Sequence, residues 1–471
     1  MAASKFSWLS FSLGLLLLCG VSEETQTGRC RIDSLDALEP NRRVESEAGV
    51  TEYYDENSDQ LQCAGVSVMR ERIEPNGLLL PSYSNSPRLV YILQGRGITG
   101  VVIPGCPESY QQSGGRRFGG REGDEEEEEE EEERDQSFQD EHQKIQHFRQ
   151  GDVLVLPAGV AHWCYNDGRS PVTAVTVFDT SNSANQLDAT HRQFLLAGRK
   201  QQGQRGSSRT SRRGEESSGD NVFSGFDVEL LAEAIGVSRE TARKLQSQDD
   251  NRGHIVRVER GLEVLRPRPS RREEEEEEGG KMAAVNGLDE AICSMKMREN
   301  IGEPSKADLY IPGGGRLTVL NNQKLPILSL VHLSANRGVL QRNAILAPHW
   351  NINAHAVVFV TSGRGRLQIV SNQGKNAFDG ELRQGQLIVV PQNFAVLAQA
   401  RSDGFSWISF QTNENAMNSA VVGKTSALRG IPVDVLVNSY RISREEAKSL
   451  KFNRGQEMAI FSPRSSKERG F

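Results

Sequence analysis

Arg149-Gln-Gly-Asp-Val-Leu-Val-Leu-Pro157 returns 234 residues later as Arg383-Gln-Gly-Gln-Leu-Ile-Val-Val-Pro391. Each copy is a glycine-containing turn followed by aliphatic residues that a proline ends, which is how a buried strand reads. Upstream, Leu89-Val-Tyr-Ile-Leu-Gln-Gly95-Arg-Gly97 is answered by Val357-Val-Phe-Val-Thr-Ser-Gly363-Arg-Gly365. Strands broken by glycine in this way suit the hairpins and bulges of a barrel. Downstream, residues 225–245 match residues 430–450 at an offset of 205, and both stretches carry helical spacing. The smaller offset reflects an extra polar loop in the first copy. Ser443 with Glu446 predicts a capping box at the start of the last helix. Three blocks repeating in one order imply a duplication. The predicted fold is mainly β, with two tandem barrels, each followed by a helical hairpin extension.

The chain has 471 residues, 36% of them hydrophobic, enough for about three domains by length alone. Its 63 acidic and 56 basic residues give a net charge of −7, which excludes a globally basic nucleic-acid binder and a wholly disordered acidic tail. Arginine supplies 43 of the basic residues and lysine 13. Salt-bridge or phosphate chemistry would explain that bias, and so would selection for nitrogen content. No apolar run reaches the roughly 20 residues that cross a bilayer. Residues 1–20 read as a secretory signal peptide, with one lysine, an apolar stretch at 6–18, and a cleavage point after Gly20 or Ser22. Cys19 leaves with it, so Cys30, Cys63, Cys106, Cys164 and Cys293 enter an oxidising compartment with one thiol left over. No N-glycosylation sequon is present.

Polar stretches punctuate the rest. Glutamates fill 125–133 and 273–278, and 198–220 is rich in Gln, Gly, Ser and Arg. Like charges at this density repel and solvate, so these read as disordered surface loops rather than calcium sites. Residues 231–245 imitate a helix-turn-helix, with Gly236 at the turn and Arg239 and Arg243 on the second helix. The secretory leader, Glu229 and Glu233, and Arg441 in place of Gly236 in the second copy argue instead for a helical hairpin. Its apolar faces are expected to pack on a barrel or a neighbouring subunit.

Gly151, Pro157, Gly159, His162 and Asn166 fit the second motif of the cupin superfamily. The resemblance implies jelly-roll barrels, many of which hold a metal through three ligands of a first motif and a histidine of the second. The first-motif positions are Ser82, Ser84 and Arg88 in one copy and His349, Asn351 and Ala356 in the other, where Val396 replaces the second-motif histidine. His162 and His349 are thus the remnants of degenerate sites, and one imidazole does not hold a divalent ion tightly. A site relocated to His355 near His349 is the functional reading; histidines satisfied by hydrogen bonds inside a barrel outweigh it. Cys164 beside His162 suggests an activated thiol, but the apolar strand before it favours a buried structural cysteine. The chain has no Gly-x-Ser-x-Gly elbow, no His-Glu-x-x-His and no P-loop.

Asn286-Gly-Leu-Asp-Glu-Ala-Ile-Cys293 follows the second acidic tract, and its Asn-Gly favours an exposed, cleavable turn. With Ser294-Met-Lys-Met-Arg-Glu-Asn-Ile-Gly302 and Leu346-Ala-Pro-His-Trp-Asn351, it resembles the legumin-type 11S seed storage globulins. Net charge changes from −15 up to Asn286 to +8 beyond it. The resemblance implies cleavage between Asn286 and Gly287 by an asparaginyl endopeptidase, disulfides Cys30–Cys63 and Cys106–Cys293, trimers that pair as hexamers, and delivery to protein storage vacuoles. It implies a nutrient reservoir of nitrogen, carbon and sulfur with no catalytic residues and no cofactor, often allergenic, with neither nucleic acid nor membrane as partner. The expected division is a signal peptide at 1–20 and a first cupin module at 21–265 with disordered loops at 111–144 and 198–220. An acidic linker at 266–286 and a second module at 287–471 complete it. The competing readings are a metal-dependent cupin enzyme of the germin or dioxygenase kind, motivated by His162, and a vicilin-like ligand binder.

Overall fold

The computed structural model describes residues 30, 32–108, 110–111, 141–143, 145–199, 204–205, 220–247, 250–262 and 292–463. The leader at 1–20, both glutamate tracts and the Asn286-Gly287 bond lie outside the described residues.

The repeated turn builds the same corner twice. Gly151 and Gly385 have φ of +90° and +85°, a region open to glycine without a Cβ penalty. The residue after each glycine caps the turn: Arg149 N–H donates to Asp152 Oδ2 at 2.8 Å, and Arg383 N–H to Gln386 Oε1 at 3.0 Å. The glycine N–H groups then donate to Ile92 and Val360 carbonyls. Aspartate and glutamine are interchangeable here because only an acceptor oxygen is needed.

In the first module these corners join two antiparallel sheets. One runs through Arg42–Ser46, Gly49–Tyr53, Val66–Ile73, Val172–Asp179, Arg88–Gln94 and Asp152–Leu156. The facing sheet orders Gln193–Leu195, Gly77–Ser84, Ala161–Tyr165, Arg96–Val102 and Ile145–Arg149. Gly95 lets the chain leave one sheet for the other, since a Cβ there would stand 2.7 Å from the Pro171 carbonyl oxygen. In the second module Ala356–Val370 and Ala395–Gln411 are each unbroken and pair in both halves, so ten strands form one continuous sheet. Register shifts around Gly363 separate the halves.

The modules exchange arms. Leu38 and Leu387 trade backbone hydrogen bonds at 2.7 and 3.0 Å, and Ile32 and Leu35 are buried in the second module's core. In return, Arg298–Asn300 pairs with Asp152–Leu154, and Met297 and Ile301 are buried with the first core. That core continues into Leu320, Ile327, Phe359 and Phe410, so the two barrels share one apolar interior at their junction. Each such side chain contributes about 1.5–3 kcal/mol on burial.

Each barrel is followed by a helical pair, Val228–Ile235 with Arg239–Gln246 and Val433–Tyr440 with Arg444–Phe452. Ser443 and Glu446 form the reciprocal capping box. Gly236 and Arg441 occupy the same left-handed C-cap, with φ of +76° and +53°. Of the two expected packings of the apolar faces, on a barrel or on a neighbouring subunit, the first hairpin does not take the barrel: Leu231, Ala232 and Ala242 form a small core of their own with Phe223. Phe226, Leu230 and Ile235 stay exposed. The pattern is too short to supply two apolar faces, and the inner one is taken by the partner helix. Arg239 pairs with Glu229 across the hairpin, so it is not presented as a base-reading group.

Two predicted loops contain some order at their ends. Tyr110–Gln111 pairs with Glu141–His142, and Gln204–Arg205 pairs with Arg42–Arg43 at the sheet edge. Edge pairing uses backbone groups alone, so polar composition did not reveal it.

Candidate functional site

The two degenerate ligand sets sit inside the barrels. Pairing of Ala161–Tyr165 with Gly77–Ser84 sets His162 directly opposite Ser82. Arg88 and Glu71 reach the same cavity, whose volume is about 30 Å³, roughly one water molecule. Ser82 Oγ accepts from Gln193 Nε2 at 2.9 Å, and Ser84 Oγ lies 3.4 Å from His191 Nδ1. His162 Nε2 and Arg88 Nη1 are buried and meet no hydrogen-bond partner among the described residues. The expected hydrogen-bonded imidazole therefore needs correction at Nε2: Ser82 and Arg88 both carry donors, but neither forms a hydrogen bond to it.

Burial, then the charge of Arg88, lowers the His162 pKa to about 3, so the ring is neutral. Burial also lowers Arg88 to about 10 while Glu71 opposes it, which leaves a cation at neutral pH. Its guanidinium stands 5.6 Å from the centre of the Phe178 ring. A divalent ion placed here would meet one imidazole and the Glu71 carboxyl group beside a guanidinium, short of the three or four ligands a metal site needs, so the donor set does not fit a metal. Among the described residues no three His, Cys, Asp or Glu side chains gather as a ligand group. Cys164 is buried, and that burial pushes its thiol above the ordinary range, the reverse of an activated nucleophile.

The second barrel solves the same problem differently. His349 lies opposite Val396, and its Nδ1–H donates to the Ala347 carbonyl at 2.8 Å. With Asn351 and Ala356 it borders a cavity of about 110 Å³ walled by Leu317, Val358, Phe405 and Trp407. His355 is outside that wall; its Nδ1 accepts from Gln392 N–H at 3.2 Å. The two histidines therefore serve separate hydrogen bonds. Glu71 was missed in the sequence reading, although strand alternation in Met69-Arg-Glu-Arg-Ile73 places it on the inward side with Met69 and Ile73.

Two disulfides fix the arms. Cys30–Cys63 ties the N-terminal arm to the helix Asp59–Ala64, with Cα atoms 4.7 Å apart. Cys106–Cys293 spans 187 residues with Cα atoms 5.5 Å apart. Loops of these lengths contribute about 3–5 kcal/mol each in the chain-entropy account.

Comparison with known proteins agrees with this frame. The family described as Cupin matches residues 35–202 and 299–448. Cocosin 1 of Cocos nucifera is 55% identical across 97% of this chain and 98% of its own length. The 11S globulin seed storage protein 1 of Carya illinoinensis is 50% identical across 97% and 95%. The solved recombinant pro-11S globulin of pumpkin superimposes with a TM-score of 0.78 at 43% identity, covering 93% of this chain and all of that one. These relatives are storage proteins rather than enzymes. Sharing half or more of its residues with two of them over nearly its whole length, the chain belongs to the 11S globulins, the legumin-type seed storage proteins.

Proposed function

We propose that this storage globulin, a reserve of nitrogen, carbon and sulfur, is matured by a single cut between Asn286 and Gly287 that leaves its fold joined. An asparaginyl endopeptidase is the matching protease class, because the bond follows an asparagine in a turn-forming Asn-Gly pair. The observation that carries the proposal is the Cys106–Cys293 disulfide, which bridges the acidic tract and the proposed cut. Pairing of Arg298–Asn300 with the first barrel adds backbone hydrogen bonds to that link. The module division at 21–265 and 287–471, with 266–286 as linker, belongs to the same proposal; the arm exchange makes it a division of sequence more than of packing.

Assembly follows from the helical hairpins. Leu230 and Ile235 on one, and Tyr440 and Phe452 on the other, remain exposed in the single chain. Apolar side chains grouped on projecting helices are suited to a neighbouring protomer, which supports a trimer. Release of the new end at Gly287 would then free a trimer face for a second trimer, giving a hexamer. The leader directs the chain into the secretory pathway, with a protein storage vacuole as destination.

Electrophoresis of mature protein tests this. One band near full mass is expected without reductant, and two bands, acidic and basic, with it. Asn286→Ala should yield trimers that stay trimers. Hexamers from that variant at the wild-type rate would refute the switch, and an intact chain under reducing conditions would refute the cut.

A further inference from the structure

The duplication sets two related groups of arginines where one barrel meets the other, one of them around a cleft, and only one group has its positive charges answered. Gly95 and Gly363 are repeat counterparts, as are Gly151 and Gly385, so Arg96 corresponds to Arg364 and Arg149 to Arg383. Strand register extends the match: Tyr91 pairs with Val175 and Val175 with Arg70, while Phe359 pairs with Ile408 and Ile408 with Arg337. Arg337 is therefore the counterpart of Arg70.

In one group the arginines are neutralised. Arg364 pairs with Asp403 at 3.1 Å and Glu381 at 3.7 Å, Arg383 with Glu39 at 2.8 Å, and Arg70 Nε with Glu52 at 2.7 Å. In the other, the residue opposite Arg337 is Thr318 instead of a glutamate. Arg337 Nη1 donates to the Gly302 carbonyl at 2.8 Å, and its buried Nε meets no hydrogen-bond partner. Arg96, Arg169 and Arg316 line the same cleft, of about 740 Å³, and no ion pair involves them among the described residues. The wall contains one acid, Glu303, already paired with Arg149. Burial and the charge of Arg337 hold Arg316 below its ordinary pKa range.

We infer that this cleft binds a compact polyanion carrying two or more phosphate groups. Its size is that of a small-ligand site, and four arginines without an acidic partner lining one cavity beside the paired Arg149 match tetrahedral oxyanions better than they match one another. The inference is independent of the proposed cleavage. An extended glutamate run of the chain itself fits less well, because a cavity of about 740 Å³ has the size of a small-ligand site.

Titration calorimetry on the assembled protein at low salt, with inorganic tripolyphosphate and with tricarballylate, tests it. Saturable tripolyphosphate binding, tighter than tricarballylate and weakened by salt, is expected. Arg316→Gln should weaken it about tenfold, and Thr318→Glu, which supplies the carboxylate its counterpart has, should do the same. Glu303→Gln should tighten it about threefold, a gain that misfolding cannot imitate. Arg364→Gln in the neutralised group should change nothing. Equal binding by wild type and Arg316→Gln, or tricarballylate binding as tightly, would overturn the inference. So would binding that emerges only after the glutamates at 273–278 become glutamines, since the chain's own acidic tract would then be the occupant.

Discussion

The first barrel keeps charge where the second keeps bulk. Register makes Glu71 opposite Ala174 the counterpart of Gly338 opposite Trp407. Arg88 corresponds to Ala356, and His162 to Val396. One interior therefore holds a carboxylate and a guanidinium beside a neutral imidazole; the other holds an indole stacked on Phe405 at 5.3 Å. Once a ligand set has been lost, a barrel can be filled by opposite charges that offset each other or by apolar volume. The first choice depends on both partners staying, and the second on shape.

That contrast can be broken at its strongest point. Arg88→Met leaves Glu71 without the guanidinium that offsets it and should cost about 3–5 kcal/mol in denaturant unfolding. Glu71→Leu added to it should recover much of the loss, and a double mutant no better than the single would show the two charges to be uncoupled. In the second barrel, a Cβ at Gly338 would lie 2.0 Å from the Trp407 ring, so Gly338→Ala should cost about 1–3 kcal/mol by overpacking. A stable Gly338→Ala would mean the indole has room to move.

Proton linkage sharpens the comparison further. Folded His162 titrates near 3, well below the ordinary histidine value, so between about 6.5 and about 3 the unfolded chain binds a proton that the folded chain does not. Stability should therefore fall with falling pH across that window, by about 1.4 kcal/mol per unit from this group. His162→Leu should flatten that part of the profile, measured as midpoint denaturant concentration against pH. An unchanged slope would mean the imidazole is protonated in the fold. The smallest effect belongs to the exposed ion pairs: Arg364→Gln should leave stability unchanged within error, and a marked loss would make the neutralised group structural.

The repeat legible in Arg149–Pro157 and Arg383–Pro391 carried the barrels, the helical pairs and the degenerate ligand positions, because turn glycines and strand alternation are local signals. What it did not carry was pairing across the duplication. Nothing in Leu38 or Arg298 announces that each serves the other module, since arm exchange is decided by which edge is free. The unanswered arginines were equally hidden. Arg316 and Arg337 look like any residues of an Arg-rich chain until register sets Thr318 where the related group has Glu52. His162 was legible as a remnant, but the lack of a partner at its Nε2 depends on how side chains from several strands are placed around it, which no local pattern encodes.

The arm exchange also sets an order on synthesis. Val153, Leu154, Val155 and Leu156 are buried, and Asp152–Leu156 would be an edge of its sheet without Arg298–Asn300 beside it. A nascent chain grown only through the first module therefore presents a bare apolar strand edge, the kind of surface that recruits other chains. Vectorial folding must pause there until the tripeptide more than 140 residues further on has left the ribosome. A chain truncated before residue 298 should accordingly aggregate even though it contains every residue of the first repeat.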